Sequence, residues 1–486
     1  MALTQKHLEV LVKSPSLGAI TYQSHAIIHE LARIKRPKYP EQACQIRDVL
    51  WSLTDYIRDE LTEMYDPGNP LGVNRDPEFQ RTYALGELLR KIFSYLQHLK
   101  ASVADQSPAA IQHALSSLIK VHFPNHGKKN PLCLICPQWR YNLEYMPLDG
   151  HLMNDISVGV LDPTGKFGTD DTLELLDRLW RRFQNKQQVN DARKLPQHLG
   201  ILRFPALDLH DTLLFPLLAH ELGHFIDFSF SPYLHTVLHR DINFSDSEIH
   251  AILEQYGETN ASFEILEQQR KWLADLTAVF LRESIADLLA VRVMGIGFFI
   301  SQAEFLKTLF PWPGLRVETT GYPGIGGRLS AIYDHLFSEC PQDIHQFLQQ
   351  NAGTIPVDNL LGYFGEWEKR LKKTASQQPT NCNEALAHLV ANAVSKKRRS
   401  LLKTLKKIVP DSKCASLSDT FFERIRLLDN RRPPRLVGDS PESFAEIMSA
   451  AWAYQIIYGE EREIAKTSKR RFSEYTKTCK LVLAAI

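Results

Sequence analysis

Apolar residues recur at helical spacing through most of this chain. Between Cys44 and Met64, the set Ile46, Val49, Leu50, Leu53, Ile57 and Leu61 repeats every three or four positions. Leu85, Leu88, Leu89, Ile92, Phe93 and Leu96 do the same. Such a stripe buries one face of an α-helix, so residues 1–120 are expected to form a helical N-terminal domain. Turn compositions break it at RPKYP (36–40), DPGNP (66–70) and DQSP (105–108). Between 121 and 210 the pattern changes. WRYNLEYMPL alternates aromatic and polar positions, ISVGVLD is β-branched, and HLGILRFPA is a third apolar run, so strands are expected there. DDTLELLDRLWRRFQ reads as a helix opened by an acidic cap. A long helical run is expected from Ser247 to Leu281. Helices return beyond Tyr333, separated by AGTIP, SQQPTN and NRRPPR. The fold class this pattern predicts is mainly α with a small β-sheet.

Composition narrows the class. The 486 residues, 44% hydrophobic and 23% charged, describe a folded chain too long for one ordinary core. A disordered protein is excluded. No stretch of eighteen uninterrupted apolar residues occurs. The nearest, LLAVRVMGIGFFI (288–300), is short and carries Arg292, so it reads as buried core and no membrane span is expected. MALTQKHLEVLVKSP lacks the apolar centre of a signal peptide. Seven scattered cysteines make no disulfide framework, and a reduced, cytoplasmic setting is expected. From Leu361 onward Lys and Arg outnumber Asp and Glu by 24 to 14, within a helical, basic C-terminal region over 341–486. Its richest run is Lys396-Lys397-Arg398-Arg399, continuing through Lys403, Lys406 and Lys407. Leu401, Leu402, Leu405 and Ile408 supply an apolar face, so the run reads as the solvated side of an amphipathic helix. Nucleic-acid contact is the less favoured alternative.

Candidate chemistry centres on PLLAHELGHFIDF (216–228). On a helix, residues four apart share a face, so His220 and His224 can turn their imidazoles to one ion. Glu221 follows the first of them, placed to hold a water rather than to ligate. That H-E-x-x-H spacing points to a zinc hydrolase. Pro216 is expected in the first helical turn, and Leu217, Leu218, Leu222 and Phe225 give the helix surface to bury. Catalytic zinc takes three protein ligands, and Glu283, in FLRESIADLLAVRVMG, can be the third. Asp287, one turn on, can accept the N–H of a ligating histidine. Metzincin spacing is excluded, because Asp227 and Phe230 stand where Gly and His would be needed. His25 and His29 enclose Ile28 rather than a glutamate and read as helix surface.

These two motifs resemble those of the gluzincin metallopeptidases, the thermolysin-like clan. The E-x-x-A-D form is most similar to the CAAX-processing and heat-shock membrane endopeptidases of that clan, from which a chain with no expected span departs. Gly321–Leu329 is similar to a His-Pro…Arg-Leu stretch of the same branch, with Tyr322 in the place of the histidine. The resemblance implies a zinc metallopeptidase with a zincin-like α+β catalytic core, its strands in 121–210 and its helical part in 211–340. His220, His224 and Glu283 would hold Zn²⁺, Glu221 would be the general base and Asp287 would support a ligand. Tyr322 or Arg328 would assist the oxyanion; Arg328 could instead bind substrate or lock Asp287. A sheet would pack on the H-E-x-x-H helix, with HLGILRFPA as an edge strand binding extended peptide.

Several further expectations follow. An insertion over 228–270 could form a lid, with His235, His239 and His250 at its surface. The partner would be a protein or peptide substrate, with a regulatory protein docking on the helical flanks. Two other readings stay open, a non-catalytic zinc-stabilised scaffold and a nucleic-acid-associated protease. Cys133 and Cys136, near His122 and His126, read either as a second, structural zinc site or as the start of a buried strand.

Overall fold

The computed structural model describes residues 15–64, 76–102, 112, 116, 118–119, 131–138, 144–147, 198–205, 211–228, 234–257, 263–309, 324–353, 355–376, 378–440, 443–463 and 468–486. By contact the chain divides into two compact units, Met1–Gln112 with His126–Leu209, and His113–Asn125 with His210–Ile486. The ISVGVLD strand and the DDTLELLDRLWRRFQ helix expected from sequence lie outside the described residues.

The first unit holds α1 (Pro15–Leu31), α2 (Glu41–Glu63), α3 (Asp76–Ala101) and strands β1 (Pro131–Gln138), β2 (Glu144–Pro147) and β3 (His198–Pro205). The predicted α2 stripe, from Ile46 to Leu61, is buried throughout. In α3 the stripe holds except at Phe93, which is 50% exposed because Tyr95 and Leu99 close the buried arc on the other side. Leu134, Cys136 and Ile201 of the sheet join the core made by these helices. β3 pairs in parallel with β1 and antiparallel with β2, giving the order β1-β3-β2. HLGILRFPA is therefore not an edge strand. Both of its hydrogen-bonding sides are occupied, and Ile201 and Leu202 are buried, as suits a central strand. The Gln112 carboxamide covers part of β1, donating to the Cys133 carbonyl at 2.9 Å and accepting from the Ile135 N–H at 2.8 Å.

The second unit is helical among its described residues. A 3₁₀ turn, Thr212–Leu217, leads into α4 (Leu218–Phe228). Pro216 thus sits in the turn before the helix rather than in its first turn. There follow α5 (Leu234–His239), α6 (Asp246–Gln255), α7 (Phe263–Met294), α8 (Ile296–Leu309) and α9 (Ile325–Asp334), the last running into a π-turn, His335–Glu339. Beyond it lie α10 (Ile344–Asn351), α11 (Asp358–Ala375), α12 (Cys382–Lys396), α13 (Arg398–Ile408), α14 (Thr420–Asp429), α15 (Phe444–Glu463) and α16 (Ser468–Leu483).

The single run expected from Ser247 to Leu281 is two helices. A Ser245–Glu248 capping box opens α6, and Gly257, at φ +92°, ends it in the left-handed conformation. Leu234, Leu238, Ile249 and Leu253 bury α5 and α6, whose neighbours include α7 and α12. LLAVRVMGIGFFI is core, as expected, but Gly295 at φ +58° splits it into the end of α7 and the start of α8. No helix among the described residues is long and apolar enough to cross a membrane.

The region expected as a separate C-terminal part, 341–486, belongs to the same unit as α4 and α7. Its basic helix α13 buries Leu401, Leu402 and Leu405 and turns Arg399, Lys403, Lys406 and Lys407 outward. Some of the charge is internally matched. Arg398 grips Glu339 with two bonds of 2.9 Å, and Lys406 meets Asp411 at 2.9 Å.

Arg424 fastens the far end. It is almost fully buried, donates to the Pro434 carbonyl at 2.7 Å and pairs bidentately with Asp439 at 2.8 and 2.6 Å. Removing one side of a buried pair strands the other, so Arg424→Ala is expected to cost about 3–5 kcal/mol of stability in urea denaturation. The Arg424 hydrogen bonds hold Asp439 down to about 2. A carboxylate depressed in the folded state stabilises above its unfolded value, near pH 4, and loses that contribution as pH falls through about 2. Asp439→Asn should flatten this acid limb of the stability profile.

Candidate metal centre

The approach of α4 to α7 builds the site. Gly223 faces Ala286 so closely that a Cβ on Gly223 would lie 2.5 Å from the Ala286 Cα and 2.9 Å from its carbonyl oxygen. Real atoms do not approach to that distance, so only glycine fits. The contact brings residues 220 and 224 of one helix level with 283 and 287 of the other, by the 3.6-residue repeat of each.

Three ligand atoms converge there. His220 Nε2 stands 3.1 Å from His224 Nε2 and 3.3 Å from Glu283 Oε2, and His224 Nε2 is 3.4 Å from Glu283 Oε1. The imidazole planes lie at 84° to each other. Among the described residues this is the one group of three or more His, Cys, Asp or Glu side chains able to share a metal ion. Asp287 Oδ1 is 2.8 Å from His220 Nδ1, so Nδ1–H is donated to Asp287 and Nε2 is left to face the other two ligand atoms.

Arg328, in the first turn of α9, closes the group from a third helix. Its Nε and Nη2 reach the two Asp287 oxygens at 2.8 Å each, and Nη1 reaches Glu283 Oε2 at 3.2 Å. Of the roles weighed for it, the geometry matches the locking of Asp287. Tyr322 lies outside the described residues.

The charges explain the proton balance. Burial opposes a charged His220, but Asp287 and then Glu283 outweigh it and hold the imidazole up at about 10. Burial also opposes ionised Glu283 and Asp287. Arg328, with His224 and His220 beside Glu283 and His220 beside Asp287, outweighs it and holds both carboxyls below their usual range. Two buried carboxylates against one guanidinium leave a negative excess, which suits the group to hold a cation. Glu221 is 5% exposed and makes no hydrogen bond or ion pair with another described residue.

Other candidates fall elsewhere. Asp227 is fully buried at the end of α4, where it accepts the His235 backbone N–H at 3.0 Å and pairs with the His235 ring. His235 is therefore not a surface residue; it ties α5 to α4. His239 is half-buried against the Ala274 carbonyl, while His250 is more open and pairs with Glu254. Cys133 and Cys136 lie in β1, three residues apart. A strand's two-residue period sends them to opposite faces, so they cannot share one metal. Burial pushes both thiols up, which suits the buried-strand reading. His122 and His126 lie outside the described residues.

The entry to α4 is held by residues that motif reasoning does not single out. Trp452 Nε1 and Ser301 Oγ both donate to the Leu213 carbonyl at 2.7 Å. Tyr475 donates to Asp211 at 2.7 Å.

The fold and site together define a mainly α protein with a small sheet and a buried His₂Glu group able to hold a metal ion. No family model matches the chain, and no curated protein or solved structure is significantly similar to it.

Gly223→Ala is expected to force α4 from α7, lowering stability by about 1–3 kcal/mol and the metal bound per chain. Since the clash is with Ala286 backbone, adding Ala286→Gly should not restore either. Denaturation and elemental analysis of single and double variants check this.

Proposed function

We propose that this chain is a zinc-dependent metallopeptidase of the gluzincin kind, hydrolysing peptide bonds of a protein or peptide substrate. The observation that carries the reading is the ligand triangle of 3.1, 3.3 and 3.4 Å. Neighbouring ligands of a tetrahedral zinc with bonds of roughly 2.0–2.1 Å stand about 3.3–3.4 Å apart. Three protein ligands are also the number found in catalytic sites, whereas structural sites use four. A zinc ion held by His220, His224 and Glu283 supplies Lewis acidity and lowers the pKa of water.

The chain's own residues do the rest. Glu221 takes a proton from the attacking water and returns it to the leaving amine. Its carboxylate is uncommitted among the described residues, which favours this reading over an inert scaffold: a structural site has no use for an unspent buried acid. Asp287 keeps His220 in the tautomer that presents Nε2. Arg328 keeps Asp287 ionised and in place.

The purified protein is expected to carry about one zinc per chain, and Glu283→Ala to lose most of it. Glu221→Gln should keep the zinc and cut hydrolysis of a mixed peptide library by at least about a hundredfold. A zinc-loaded Glu221→Gln protein as active as wild type would remove the mechanism. A chain that takes up no zinc would remove the metal reading as well.

A further inference from the structure

We propose that Cys340 and Cys414 are a reversible thiol-modification site, closed to a disulfide by a hydroperoxide. The two sulfurs lie 3.9 Å apart. Each residue sits in non-helical backbone, Cys340 just after the π-turn and Cys414 just after a short 3₁₀ turn, Asp411–Lys413. Their segments are stitched side by side. The Gln342 carboxamide donates to the Leu417 carbonyl and accepts from the Leu417 N–H, both at 2.7 Å. A disulfide needs sulfurs about 2.05 Å apart, so closure asks for a movement of under 2 Å between loops already held in register.

The pair is chemically unequal, as an attacking and a resolving thiol should be. Cys340 is partly exposed, whereas Cys414 is buried. The Cys414 S–H bond, with the Arg292 guanidinium nearby, brings the Cys340 thiol down to about 6. Cys414 is pushed up, by that same bond and by burial. Cys340 is then largely thiolate at neutral pH and is the group a peroxide meets first. Its thiolate attacks one peroxide oxygen, the O–O bond breaks, and hydroxide leaves a sulfenic acid on Cys340. Cys414 sulfur attacks that sulfur, the S–O bond breaks, and the departing hydroxide takes the Cys414 proton as water. Two thiols lose two electrons; the peroxide gains them. The remaining cysteines offer no such arrangement among the described residues. Cys133 and Cys136 point to opposite faces of β1, and burial holds Cys479 up at about 12.

The test uses the whole metal-loaded protein and one equivalent of hydrogen peroxide, followed by non-reducing peptide mapping. The expected result is loss of two of the seven titratable thiols, one cross-linked peptide joining Cys340 to Cys414, and full recovery with dithiothreitol. In Cys414→Ala, Cys340 should stop at a sulfenic acid that dimedone traps. In Cys340→Ser, Cys414 should stay reduced. Thiol loss falling on other cysteines would overturn the proposal. So would a wild-type Cys340 that passes to sulfinic acid with no cross-linked peptide. Both are read on wild type alone, whether or not a variant folds.

Discussion

The structure depends on one steric fact, that α4 and α7 touch at Gly223 and Ala286 without a side chain between them. Helices normally stand 8–10 Å apart because side chains interdigitate. Here the Gly223 position has no room for even one carbon. The backbone approach lets short side chains from two helices reach a common point. Had residue 223 carried a side chain, His220 and His224 would be pushed away from Glu283. The packing step and the chemical step are therefore the same step.

Around that point the electrostatics are costly and nearly balanced. Burying a carboxylate takes several kcal/mol unless it is paired and hydrogen-bonded, and Glu283 and Asp287 are both buried. Arg328 meets both, and its planar fork suits the task in a way a lysine would not. The remaining negative charge is what makes the group able to hold a cation. The same residue type solves similar problems elsewhere. Arg292, fully buried, donates to the Val409 carbonyl at 3.2 and 2.7 Å and reaches Asp411 at 2.8 Å. Arg424 does likewise with Asp439.

Much of this was legible in the sequence, and the limits have physical causes. H-E-x-x-H and E-x-x-A-D place His220, His224, Glu283 and Asp287 because a helix converts spacing into direction without help from the rest of the fold. The α2 stripe was legible for the same reason. Strand order was not, since periodicity says a segment is extended but not which neighbours take its hydrogen bonds; hence HLGILRFPA is central rather than an edge. The break at Gly257 and the split at Gly295 turn on a left-handed backbone that a lone glycine permits but does not announce. His235 reads as surface until α5 folds back on Asp227, a contact no local pattern encodes. Gly223 was in view as a variable letter of H-E-x-x-H, and Ala286 as the alanine of E-x-x-A-D. Their smallness was the available signal.

The helical flank beyond residue 340 reads from sequence as a surface for partners, yet several of its polar contacts reach the ends of the site helices. Trp452 of α15 fixes the carbonyl of Leu213, just before α4. Arg292, five residues past Asp287, anchors the end of α7 to the segment after α13. Arg398 holds Glu339 and the Ala331 carbonyl, at the end of α9. Each contact satisfies a backbone or charged group that would otherwise be stranded, and each lies a turn or two from a residue of the metal group. A triangle of ligand atoms held to tenths of an ångström needs its helices fixed at their ends as well as at their crossing, because a small rotation about one contact would carry the imidazoles apart. The length of the chain beyond residue 340 is thus accounted for in part by the site itself, before any partner is invoked.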